Sequence, residues 1–242
     1  MKLLQIVIFT ACLFLSSLYS QVNTESLRRE NSIPGVHHNM ALDFSYYSGN
    51  SEIIQLMGSY RMDYLSNSNW YGFLKGQYNR AFEKDKEDFS NKGFIHLRAA
   101  KPILEHTDIE GFIQKEANHF IDLENRELLG AGLRINQFRN LYWGIGIMHE
   151  MEKYNKIPQE QSFVKSTNYI NYKINILQTA ELQNVIYYQF KLGYPGDYRI
   201  LWNGNLTFQA SKGISFHMNT HYRFDKTGES YFEISNGLGF QF

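Results

Sequence analysis

Ser215, His217 and Asn219 stand two residues apart. On a β-strand such residues project side by side from one face, about 7 Å apart. A serine nucleophile and a histidine base could meet there, with a polar neighbour to orient the imidazole, and the chemistry would be hydrolysis of a lipid or another envelope ester. The adjacent His149 and Glu150 fall on opposite faces of any strand and form no dyad. His37 and His38 precede the first expected strand and read as surface residues rather than metal ligands. Gly130-Ala131-Gly132 has the spacing of a phosphate cradle, but no helix follows it, so that chemistry fails. Small residues there suit a strongly curved wall, or leave room for a long side chain such as Arg134.

The elements that must position these residues begin after a leader. Lys2 precedes an almost wholly apolar stretch at residues 3–15, and Ser16, Ser17 and Ser20 supply small residues before Gln21. That is the grammar of a secretory signal peptide, with cleavage expected after Ser20. A lipoprotein anchor at Cys12 is the rival, but the apolar run continues past Cys12 and Phe9 fits that signal poorly. Cys12 is the one cysteine, so residues 21–242 hold none and disulfide or thiolate chemistry is excluded. Lys plus Arg and Asp plus Glu number 24 each, which gives no electrostatic reason to bind nucleic acid or acidic lipid clusters. No later stretch approaches the roughly 18 apolar residues of a membrane helix. The 17 Tyr and 18 Phe without long apolar runs are what a membrane-spanning barrel requires, since each strand shows lipid only every second side chain.

Period-two alternation marks the strands. Phe232, Ile234, Asn236, Leu238, Phe240 and Phe242 share one face of the last, against Glu233, Ser235, Gly237 and Gly239. The same pattern recurs at residues 214–224, 198–208, 186–192, 170–176, 141–147 and 129–135. Weaker candidates lie at 40–47, 53–64, 70–82, 94–99 and 109–123. The expectation is a closed, all-β, antiparallel transmembrane barrel of about 12 strands at residues 39–242, after a signal peptide at 1–20 and a short periplasmic segment at 21–38. A soluble sandwich or lipocalin-like barrel also alternates. However, nearly every strand carries five or six large apolar residues on one face and polar or glycine residues on the other, the reverse of a soluble barrel's packed interior. All four prolines (Pro34, Pro102, Pro158, Pro195) are expected between strands. Residues 83–91 and 152–161 are expected as long outer loops, and 138–140 and 210–212 as short periplasmic turns. Tyr194, Tyr198, Tyr222, Phe224, Tyr231 and Phe232 would form an upper aromatic girdle. Trp70, Tyr71, Phe138, Trp143, Phe240 and Phe242 would form a lower one, with Phe240 and Phe242 also serving as the insertion signal.

Parity then aims Arg61, Asp63, Arg126, Arg134, Glu150, Lys191, Arg199, His217, Arg223 and Glu233 into the lumen. Both signs occur, and buried charges need partners or water. Ser215 and His217 face inward too, whereas a lipid-cleaving site must meet the bilayer. Even sums also fix one hairpin: Leu133 opposes Ile145, Ile135 opposes Trp143, Ala131 opposes Ile147, and a three-residue turn sets Gln137 against Leu141. Arg134 then lies opposite Gly144 and gains room from the missing side chain. Twelve strands lie between barrels filled by side chains and those with aqueous channels, and a narrow or plugged interior is favoured.

Arg126 followed by Gly130 and Gly132, then Gly144, Gly146 and Glu152-Lys153-Tyr154, resembles the bacterial salt-induced outer-membrane protein family. The last two strands and the terminal Phe242 are similar as well, and the resemblance covers residues 40–242. It implies an outer-membrane barrel and brings no reaction, ligand or active site. The expected role is structural or a narrow pore. The alternatives are a lipid hydrolase using Ser215 and His217 or a binding protein working through its outer loops. The expected partners are outer-membrane lipid and the barrel-assembly machinery. No enzyme activity, cofactor, metal or nucleic acid is expected, and the sequence leaves the oligomeric state open.

Overall fold

A computed structural model describes residues 25, 27–28, 33–47, 52–83, 88–138, 140–211, 214–226 and 230–240. The leader at 1–20, Cys12 and Phe242 lie outside the described residues, as do the side chains of Glu233 and Phe240. Alternating sequence becomes one antiparallel sheet of twelve strands. They are β1 (Gly35–Tyr47), β2 (Ile53–Leu65), β3 (Tyr71–Glu83), β4 (Asp88–Leu104), β5 (Thr107–Asn118), β6 (Leu123–Phe138), β7 (Leu141–Tyr154), β8 (Ile157–Leu177), β9 (Ala180–Lys191), β10 (Tyr194–Ser211), β11 (Ile214–Asp225) and β12 (Tyr231–Phe240). Each pairs with its sequence neighbours. Among the described residues no ladder joins β12 to β1, so the sheet is not closed and the closed barrel stays an expectation.

Its two faces have opposite chemistry. On β7, Trp143, Ile145 and Ile147 are exposed, whereas Tyr142, Met148 and Glu150 are buried. The sheet curls strongly toward the polar face. Three strands span about 14 Å along a sheet. Yet Tyr169 on β8 donates to Glu110 on β5 at 3.0 Å, and Arg199 on β10 donates to Glu150 on β7 at 3.2 Å.

The β6–β7 register places Leu133 against Ile145, Ile135 against Trp143 and Ala131 against Ile147, with Arg134 against Gly144. The turn differs from the sequence expectation. Phe138, not Gln137, faces Leu141, and the register shifts between Asn136 and Phe138. The connection is two residues long, with Asn140 at φ 68°. A bulge restores the parity that such a turn alone would break. The space at the glycines is also filled differently. A Cβ on Gly144 would fall 1.9 Å from the Tyr169 ring, and one on Gly130 would fall 2.4 Å from Phe112. Aromatic rings from neighbouring strands occupy these gaps, and Arg134 instead lies 3.6 Å over the Tyr142 ring.

Other boundaries move for related reasons. Residues 152–161 are not a loop: β7 and β8 continue through them to a turn at Asn155 and Lys156. Beyond the apolar belt both faces of these strands are polar, so periodicity vanishes while pairing persists. Outward ion pairs there join Lys115 to Glu127 at 2.8 Å and Lys153 to Glu124 at 2.7 Å, and Lys156 pairs with Asp122. Residues 109–123 are not one strand either, because a short 3-10 turn at His119–Ile121 ends β5. Pro102, Pro158 and Pro195 sit inside strand ends rather than between strands. The register shifts between Pro102 and Leu104 and between Tyr194 and Tyr198, where a missing N–H is tolerated. His37 and His38 belong to β1, and His38 Nδ1 lies 2.7 Å from the Tyr60 hydroxyl across the ladder.

Tyr71 departs from the lower girdle. It is buried on the inner face and donates to Asp63 at 2.9 Å. Trp70, Phe138 and Trp143 face outward. At the opposite end Tyr188, Tyr198 and Phe224 form a continuous aromatic row, with ring centres 5.8 and 5.9 Å apart.

Candidate functional site

Inward parity on β4 through β11 builds two charged clusters separated by a waist of mixed apolar and polar side chains. The first lies toward the β6–β7 turn. Arg98 from β4, Glu110 and Asp108 from β5, Arg134 from β6, and Tyr169 and Asn171 from β8 converge there. At their centre is Glu25, a residue of the segment ahead of β1, fully buried. Its Oε2 accepts from Arg98 Nη1 at 2.9 Å, and its Oε1 accepts from Arg134 Nε at 3.0 Å and Asn171 Nδ2 at 3.2 Å. Arg28 follows it in. Its guanidinium donates to Glu110 at 3.2 Å and Asp108 at 3.4 Å and lies 5.4 Å over the Tyr71 ring. Part of the segment expected to stand before the barrel therefore reaches inside it.

The second cluster lies eight residues further along β6, about 26 Å at strand rise. Arg126 is fully buried; its Nε donates to Glu152 at 2.7 Å, lies 3.2 Å from Glu150, and its Nη1 lies 3.6 Å from Glu116. Arg199 joins Glu150 and, at 2.9 Å, Asp225; Arg223 also donates to Asp225, at 2.8 Å. Lys165 completes the set through Glu150. Arg126, Arg199 and Lys165 meet carboxylates from other strands, and Arg223 meets Asp225 of its own strand, so each cation has the partner without which buried charge is not tolerated. Arg61 and Asp63, two apart on β2, pair directly at 2.6 Å.

Between the clusters lie Leu128, Met148 and Leu201 together with Gln114, Thr167 and Gln189, all buried. A void of about 30 Å³ bordered by Arg98, Gln114, Met148 and Tyr187 has room for only a water or so.

Of the residues assigned to the interior from sequence, Arg126, Arg134, Glu150, Arg199 and Arg223 are buried members of these clusters. Lys191 sits at the margin, its ammonium 3.9 Å from the Phe163 ring. Sequence reasoning left out Arg98, Glu110, Glu116 and Lys165, although the same parity rule reaches them. On β4, His96 and Arg98 alternate with the outward Ile95 and Leu97. Glu25 carries no such signal, because no periodicity surrounds it.

The Ser–His contact is real: Ser215 Oγ lies 2.7 Å from His217 Nε2. The other ring nitrogen meets Thr207 Oγ1 at 3.2 Å, not Asn219. Phe216 between them is exposed on the outer face, so Ser215 and His217 share the inner one. Among the described residues no three His, Asp or Glu side chains gather in a way that could hold a metal ion.

This curled antiparallel sheet, apolar outside and ionic within, has the fold of an outer-membrane-type barrel. It is similar to the translocator domain of the autotransporter NalP from Neisseria meningitidis, with a TM-score of 0.52 at 10% identity over 90% of this chain and 92% of that one. Looser likenesses are to the NanC porin (TM-score 0.49, 10% identity, 86% of this chain and 99% of that one) and the KdgM porin (0.42, 12%, 86% and 98%). The chain belongs to the family described as "Protein of unknown function, DUF481", whose model matches residues 41–233. No curated protein matches the sequence.

Proposed function

We propose that the chain is an outer-membrane barrel, exported by a signal peptide at residues 1–20. In this reading its wall closes through a β1–β12 ladder around a side-chain-filled interior. It serves as a structural element or a low-conductance path, not as an open pore. The observation that carries this reading is the inverted polarity. Leu129, Ile145 and Ile147 are exposed while Arg126 and Glu150 are fully buried, which suits lipid outside and fixed charges within. Closure also removes two long unpaired edges, including the β1 edge with its exposed Met40, Leu42 and Phe44. Both termini are periplasmic in this arrangement, outer-membrane lipid surrounds the belt, and Phe240 and Phe242 are read by the assembly machinery. The kinship to salt-induced outer-membrane proteins rests on Arg126, the glycine pairs and Glu152-Lys153-Tyr154.

The test is purification from outer membranes, gel mobility with and without boiling, and planar-bilayer conductance. A compact unboiled band with small or no conductance is expected. A wide, stable conductance would overturn the filled interior, and a band that ignores boiling would overturn closure.

A second reading, an esterase, draws on the 2.7 Å Ser215–His217 contact. Its inward aspect, away from lipid, and a hydroxyl rather than a carboxylate behind the imidazole favour the non-enzymatic reading. Labelling by a fluorophosphonate that Ser215→Ala abolishes would reverse that order.

A further inference from the structure

We propose that the cluster around Arg98 and Glu110 is a binding site for a compact zwitterion, a molecule carrying a carboxylate and a guanidinium or ammonium group. Glu25 and Arg28 of the chain's own N-terminal segment hold it closed as a tethered competitor. The wall presents two complementary halves. Arg98, Arg134 and Asn171, from three different strands, aim three hydrogen-bond donors at one carboxylate, and all three reach Glu25 within 3.2 Å. Beside them Asp108, Glu110 and the Tyr71 ring receive a single guanidinium. Convergent charged donors around both carboxylate oxygens are the geometry of carboxylate recognition, and acidic groups with an aromatic face suit a cation.

The halves are joined by the Arg98–Glu110 pair at 3.3 Å, so charge alternates from Glu25 through Arg98 and Glu110 to Arg28. The occupying residues belong to no strand: β1 starts only at Gly35. Withdrawing them breaks no ladder. It also leaves the wall with matched charges, Arg98 beside Glu110 and Arg134 within 3.8 Å of Asp108. Removing one negative and one positive charge together is therefore tolerated, whereas removing either alone is not. A free zwitterion entering from the β6–β7 end would replace both.

The probe is L-arginine, with agmatine (cation alone) and acetate (anion alone) as controls, on the full-length refolded protein. A segment tethered next to its site competes at an effective concentration in the millimolar range. The paired variant Glu25→Gln/Arg28→Gln should therefore bind L-arginine at least tenfold more tightly than wild type in calorimetry. Adding Arg134→Gln should reverse that gain, and neither control should match L-arginine. In the wild-type protein, saturating L-arginine should raise amide exchange in residues 25–28 severalfold, a readout that needs no variant to fold. Equal affinity of wild type and paired variant, agmatine binding as tightly as L-arginine, or unchanged exchange in residues 25–28 would each overturn the site. The inference rests on the barrel reading but fails separately from it. A compact unboiled band with no response to L-arginine overturns the site alone, and a band indifferent to boiling overturns the barrel.

Discussion

Replacing Arg126 by Met isolates the second charged cluster, because the substitution keeps an unbranched chain and deletes only the charge and its donors. Arg126 is fully buried against Glu116, Glu150 and Glu152. The three carboxylates do not lose equally. Glu150 retains Arg199 and Lys165, and Glu152 retains Arg199 at 3.7 Å. Glu116 keeps the Gln114 amide at 3.2 Å, and among the described residues Arg126 is the cation at ion-pair distance from it. Breaking a buried pair by removing one partner costs about 3–5 kcal/mol, mostly as the uncompensated charge left behind. The carboxyl left without its cation is that of Glu116, so adding Glu116→Gln should restore about 1–3 kcal/mol of the loss. The assay is urea unfolding in lipid vesicles, followed by the fraction of compact unboiled band. A loss below about 1 kcal/mol for Arg126→Met would refute the buried network. A double variant whose cost equals the sum of the two single costs would refute the coupling of Arg126 to Glu116.

Ile145→Arg places a charge on the outer face opposite Leu133 and Asn168; it should cost about 2–4 kcal/mol in vesicles and far less in a comparison at a polar rim position such as Lys153→Arg. Gly144→Ala should be destabilising by about 1–3 kcal/mol through collision with the Tyr169 ring, and Tyr169→Ala in the same chain should relieve part of that, both read by thermal melts. Phe242→Ala should lower the yield in the membrane fraction while leaving the stability of refolded protein unchanged; normal yield would remove the terminal residue from the insertion signal.

Where one face is apolar and the other holds charge, the fold was legible in the sequence residue by residue. The β6–β7 hairpin shows this, since parity alone dictates Leu133 against Ile145 and Arg134 against Gly144. It failed where that contrast ends. The Asn155–Lys156 hairpin is polar on both faces, and an alternation code is silent there even though the ladder continues. The Gln137 bulge was illegible for another reason, as turn length and bulge compensate each other in parity and only the far pairs are constrained. Tyr71 was misassigned because tyrosine serves equally at a lipid interface and against a buried carboxylate such as Asp63. Individual inward charges were readable, but their partners were not, because which of them meet across the interior depends on curvature. Glu25 is the extreme case: its carboxylate is held by arginine and asparagine donors far away in sequence.

The contacts that skip strands have a mechanical consequence. A wall held together by nearest-neighbour hydrogen bonds alone resists stretching around its circumference yet flattens readily, since an ellipse and a circle use the same ladders. The Tyr169–Glu110 and Arg199–Glu150 contacts, each joining strands three apart, act as chords. Flattening along one diameter lengthens chords near the other, and a charge-assisted contact is lost when it stretches by an ångström or so. In the closed, membrane-embedded barrel proposed above, the cross-section would thereby be fixed by its interior, so uneven lateral pressure from a bilayer should tilt the molecule as a rigid body before it changes its outline.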